Sequence, residues 1–153
     1  MRGAFTLAAL LFGALSSSGC SSSDSAATGD GGTCSRASSF PATAMSSLTS
    51  DDGKLLVAIH SAPYQPLVAG LQCVELVVTD PSTGASVDGL TISMTPWMPA
   101  MGHGASVTPS VTALGQGRYV FTDVSLFMPG EWQLRTQFSG QVTDSVEPTF
   151  NVD

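Results

Sequence analysis

The chain has 153 residues, with five Lys+Arg against twelve Asp+Glu for a formal net charge of −7. Charged residues make up only 11%, which leaves neither the basic footprint that nucleic acid requires nor the polybasic face of a membrane-surface module. A hydrophobic content of 42% with 16 Gly and 9 Pro is unlike a helical bundle and points to short strands joined by turns.

Residues 1–19 read as a signal peptide. Arg2 supplies the positive n-region, and the apolar run from Ala4 to Leu15 is long enough for an h-region but too short to span a bilayer. The segment ends in Ser16-Ser17-Ser18-Gly19-Cys20, which resembles a bacterial lipobox and makes Cys20 the candidate for lipidation. Ser17 stands where that motif usually has Leu, and the other reading is an ordinary signal peptide cut nearby. With Cys20 lipidated, Ser21 rather than Asp at the next position favours the periplasmic side of the outer membrane, held there by the lipid anchor. Both readings export the protein.

Residues 20–52 form a Ser/Gly-rich segment with almost no large apolar side chains, the composition of a flexible linker. Its later part, from about Phe40 to Leu48, docks on the domain if a disulfide holds it. Three cysteines are an odd number for an oxidising compartment. Assigning Cys20 to a lipid leaves Cys34 and Cys73 to pair with each other; the alternative is two free thiols. Cys73 lies in the alternating run Gln72 to Thr79, where Val74, Leu76 and Val78 share one face and Cys73 shares the other with Glu75. No Cys-x-x-Cys supports a redox role.

Residues 53–153 read as one all-β domain, an immunoglobulin-like β-sandwich of about seven strands. Leu55 to His60, Gln72 to Thr79 and Leu90 to Thr95 are the first three, the last expected to stop at Pro96. Val107 to Val111, Arg118 to Thr122, Glu131 to Phe138 and Pro148 to Val152 follow, separated by turns at Gly115-Gln-Gly117 and Met128-Pro-Gly130.

Chemistry concentrates in Met94-Thr-Pro-Trp-Met-Pro-Ala-Met-Gly-His-Gly104, which holds three Met, a Trp and one of the two His. Met94 alternates with Leu90 and Ile92 and is expected in the core. Met98, Met101 and His103 fall beyond Pro96 and are the candidate metal ligands, with Met128 on the later Pro-Gly turn as a fourth. Thioether and imidazole suit copper over Mg, Ca or Mn. Trp97 is a candidate cap for the ion. His60 reads more simply as a structural histidine.

The order of Pro63 and Pro66 before Gly70, Met98-Pro-Ala-Met-Gly-His-Gly104, Gly117-Arg-Tyr-Val and Met128-Pro-Gly-Glu-Trp-Gln-Leu-Arg135 resembles the YtkA-like domain, related to the FixH group. The resemblance covers about residues 55–140. It implies an all-β sandwich, often on a lipoprotein, and a part in copper handling outside the cytoplasm. The family's Met/His motif falls on Met98, Met101 and His103, and its turn methionine on Met128. The expected function is therefore a copper-binding, chaperone-like lipoprotein domain that hands its ion to a copper-accepting envelope protein. The alternative is a metal-free structural or interaction module, its Met-Pro-x-Met loop serving as a docking surface. No nucleophile or metalloprotease motif suggests an enzyme.

Overall fold

Alternation of apolar and polar side chains carries through most of the region after residue 55 and builds a sandwich of two antiparallel sheets. The computed structural model describes Cys34 and residues 39–153. Residues 1–19, read as a signal peptide, and Cys20 lie outside the described residues, as does most of the segment read as a linker. The strands are β1 (Ser46–Thr49), β2 (Leu56–Ala62), β3 (Gly70–Thr79), β4 (Thr91–Met98), β5 (His103–Gly104), β6 (Ser110–Gly115), β7 (Arg118–Leu126), β8 (Gly130–Ser139), β9 (Asp144–Val146) and β10 (Thr149–Val152). One sheet has the order β1-β2-β3-β7-β6; the other runs β10-β8-β4-β5, with β9 also paired to β8. No helix among the described residues is long and apolar enough to cross a membrane.

The core lies between the two inner faces. Val57, Ile59, Val74, Leu76, Val78, Tyr119, Phe121, Val124 and Leu126 meet Ile92, Met94, Met98, Trp132, Leu134 and Phe138. Full burial of an aliphatic or aromatic side chain of this kind contributes about 1.5–3 kcal/mol. Met94 sits in this core, as its alternation with Ile92 predicts. The Tyr119 hydroxyl donates to the Val87 carbonyl at 3.0 Å and accepts from the Leu90 N–H at 3.1 Å, so the polar end of a buried ring is satisfied.

Ten strands replace the expected seven, because β1, β5 and β9 span four, two and three residues and are too short to show a period. β1 lies inside the segment assigned to the linker, so the sheet begins before residue 53. Nor does the third expected strand stop at Pro96. The Pro96 carbonyl accepts from the Ala105 N–H at 2.9 Å, so its ring nitrogen faces the same way, off the β8 ladder and toward the sheet edge. A proline costs the sheet no hydrogen bond there. Between β3 and β7, Gln72 pairs with Val124 and Val74 with Phe121, so Thr122 and Asp123 of β7 together oppose Cys73. This bulge, with Asp123 at φ 61°, turns both Phe121 and Val124 inward although three positions separate them.

Cys34 and Cys73 are joined by a disulfide, with Cα atoms 5.7 Å apart. Cys73 is buried yet stands apart from the core cluster, on the outward face of β3. Residues 39–45 run as a strap beside it. The His60 Nδ1 lies 2.8 Å from the Pro41 carbonyl; a carbonyl only accepts, so Nδ1 carries the proton and His60 is a structural tie. Gln65 Nε2 donates to the Thr43 carbonyl at 2.7 Å, and the Met45 N–H donates to Ile59 at 2.8 Å.

At the far end of the sandwich, Asp144 of β9 clamps the β1–β2 turn. Its carboxylate accepts from the Ser50 hydroxyl at 2.5 Å and from the N–H groups of Asp52, Lys54 and Ser145 at 2.9, 3.2 and 2.8 Å. Burial alone raises this carboxyl, but the four donors outweigh it and hold it at about 2, against 3.8 for a free carboxyl. The depressed value means that the clamp stabilises the fold above about pH 4 and is lost as pH falls toward about 2.

Two outcomes follow from these ties. Asp144→Asn lowers stability in urea unfolding at pH 7 by about 2 kcal/mol, and the difference from wild type shrinks as the titration is repeated down to about pH 2. Cys34→Ser with Cys73→Ser removes a cross-link over 39 positions; the chain-entropy model puts the loss at roughly 3–4 kcal/mol, read as a drop in the unfolding midpoint that reductant reproduces in the wild type.

Candidate metal centre

Strand register brings three loops to one end of the sandwich. β4 ends at Met98 beside the start of β8, β7 ends at Leu126 opposite Gly70 of β3, and β10 ends at Val152 opposite Gly130. Residues 63–69, 99–102 and 127–129 therefore share this end, called here the pole.

Met98 and His103 are direct partners across β4 and β5, so their side chains leave the same face. Met98 is inward and only 6% exposed. Its Cε lies so close to the Gly130 backbone that a Cβ added to Gly130 would stand 2.8 Å from it. Gly130, at φ 129°, thus leaves room for the thioether against the β7–β8 turn. The neighbouring Met128 packs partly buried against the core. Its carbonyl accepts from Trp132 Nε1 at 2.8 Å, which fastens the turn.

His103 is exposed. Its Nδ1 lies 3.1 Å from the Gly104 carbonyl, which requires the proton on Nδ1 and leaves the Nε2 lone pair free. His103 and Met128 line one opening of about 230 Å³ together with Ala105, Ser125, Phe127 and Trp132. Met98, His103 and Met128 are thereby gathered around the same turn and hairpin. Met98 is not among the residues lining the opening, and neither is Met101. Met101 sits at the hairpin tip, 59% exposed, where its N–H donates to the Met98 carbonyl at 3.2 Å.

Trp97 does not cap this site. Because β4 runs on through Pro96, Trp97 alternates with Met98 and faces outward, where Arg135 lies over its ring at 4.5 Å from the centroid. The aromatic rings at the opening are Trp132 and Phe127. Trp132 shares its strand face with Leu134, Thr136 and Phe138, and that alternation alone does not connect it with the site. The signal available was its spacing, four residues after Met128 across a Pro-Gly turn. Phe127 at the rim was also missed.

The donors are neutral and soft. Among the described residues no three of His, Cys, Asp and Glu come together as a metal site, so the hard carboxylate sets of Ca²⁺ and Mg²⁺ and the usual sets of Zn²⁺ have no counterpart. Two thioethers and an imidazole fit copper, Cu(I) above all.

These features define a small β-sandwich with a Met/His pole. The chain belongs to the YtkA-like family, whose sequence model matches residues 56–137, more than half of its length. Two solved structures are similar to it. One is a copper-bound variant of FetP from uropathogenic Escherichia coli strain F11, at 12% identity and a TM-score of 0.47, covering 73% of this chain and 95% of that one. The other is FetP of the same strain, as isolated after expression in the E. coli periplasm, at 12% identity and a TM-score of 0.44, covering 71% and 91%. No curated protein matches the sequence.

The unequal burial of the methionines separates packing from exposure. Met98→Ala lowers stability by about 2–4 kcal/mol in chemical denaturation, while Met101→Ala changes it by less than about 0.5 kcal/mol.

Proposed function

We propose that this chain is an exported copper carrier that holds one Cu(I) ion with Met98, His103 and Met128 and uses Met101 as an entry ligand. The observation that supports this reading most is that strand pairing and the β7–β8 turn set Met98, His103 and Met128 around one turn and hairpin, with no cluster of three His, Cys, Asp or Glu among the described residues. The proposal includes the lipid anchor at Cys20 and a copper-accepting envelope protein as recipient. It assigns the chain no catalytic step.

The chemistry required is ligand exchange. A cation arriving at the hairpin tip meets Met101 first, because that side chain stands in solvent. His103 then draws the ion into the opening, and Met128 and Met98 complete a soft set. Thioethers suit an oxidising compartment because they cannot be consumed in disulfides. Each protein–metal bond is individually weak, so a recipient with its own donors displaces them one at a time without the ion entering water. The acidic surface adds a modest long-range attraction for the cation.

Competition against a Cu(I)-specific chelator tests the assignment. His103→Ala and Met128→Leu are each expected to weaken Cu(I) binding by about tenfold or more, equivalent to about 1.4 kcal/mol, and Met101→Leu by less. Far-ultraviolet circular dichroism of the three variants stays that of the wild type. Unchanged Cu(I) affinity in the doubly substituted His103→Ala, Met128→Leu protein would remove the site.

A further inference from the structure

We infer that the pole is also a docking face, and that it fits a protein whose apolar contact surface is ringed by basic side chains. This deepens the proposed function, since it names the chemistry of the partner that approaches the Met/His opening.

Three large apolar side chains stand in solvent at the pole. Phe127 is 65% exposed, Met101 59% and Tyr64 59%. They belong to the three loops that strand register brings together, residues 127–129, 99–102 and 63–69. A scattered exposed apolar residue needs no explanation, but three on loops that share one end of the sandwich make a patch. Folding does not require Phe127 to be aromatic. Leu126 points into the core and Phe127 alternates outward, so a Ser there would leave the sandwich intact.

Charge selects the occupant. The described residues contain three Lys or Arg side chains, and each lies away from the pole with a partner. Lys54 pairs with Asp52 at 2.8 Å on the β1–β2 turn, at the opposite end. Arg118 pairs with Glu75 at the start of β7, the end of that strand remote from Leu126. Arg135 lies over Trp97, 3.9 Å from Glu147, on the outer face of the second sheet. Among the described residues, the ionic side chains at the pole are carboxylates. Glu131 is the second residue of β8, and Asp153 follows β10, its carbonyl accepting from the Ala69 N–H at 3.2 Å. An apolar patch with an acidic rim repels a second copy of a chain of charge −7. It repels an anionic lipid surface for the same reason. A lysine-ringed protein surface is attracted, and its apolar centre can cover Phe127.

The test uses the full chain free of metal, so that it is independent of copper binding. Ferrocytochrome c serves as the probe, being a small basic protein whose apolar haem edge is ringed by lysines. In ¹⁵N NMR titrations at about 20 mM salt, perturbed amides should cluster in residues 63–69, 99–103 and 127–131, and affinity should fall by about tenfold at about 200 mM salt. Phe127→Ser and Glu131→Lys should each weaken binding at least about fivefold, while Asp52→Asn at the opposite end leaves it unchanged. Perturbations spread over the whole acidic surface, no binding at low salt, or a Phe127→Ser protein that binds as the wild type does would overturn the docking face. Loss of the copper site in the chelator experiment leaves this result standing, and the converse also holds, so the two readings fail separately.

Discussion

The burial of two inner sheet faces against each other fixes the phase of every strand, and the phase of β4 decides what the pole contains. With Ile92 and Met94 inward, each second residue onward is inward too, which carries Met98 into the core and Trp97 out to Arg135. Met98 is therefore a packing residue and a candidate donor at once. A thioether held by the Gly130 backbone has little rotamer freedom left to lose on meeting an ion, whereas Met101 in solvent has most of it. The difference divides the candidate ligands into a fixed floor and a mobile entrance.

The two ends of the sandwich are built from different physics. At the far end, a carboxylate with four donors and the Lys54 ammonium, which donates to the Thr143 carbonyl at 2.9 Å, tie the sheets together through polar contacts. At the pole, the contacts are those of Trp132, Met98 and Met128 around a turn, and Tyr64, Met101, Phe127 and His103 face solvent. The pole keeps its donors free of competing ion pairs.

Much of this was legible in the chain itself. Alternation over Gln72 to Thr79, Leu90 to Thr95 and Trp132 to Phe138 marked the core faces, and the cysteine count led to the Cys34–Cys73 bridge. The motif resemblance led to the family. What escaped had a common cause, since each feature depends on which side of a strand faces a neighbour. Pro96 reads as a strand end unless it is known that its nitrogen points to the sheet edge, and stopping there hid the phase that turns Trp97 away. The bulge at Thr122 and Asp123 breaks the alternation of β7 with no local sequence mark. The pairs of β5 with Trp97 and Met98 are too few to leave a period, although they place His103.

The bridge between Cys34 and Cys73 also sets where a mechanical load enters the domain. A pull on the N-terminal side of Cys34 would otherwise reach β1, an edge strand of four residues that can be peeled from β2 one pair at a time. The disulfide diverts that pull to β3, the middle strand of its sheet, flanked on both sides by long ladders with β2 and β7. Drawing β3 out requires many hydrogen bonds to yield together in shear. A pull on that side is thus taken up at the central strand of the sheet and not at its edge.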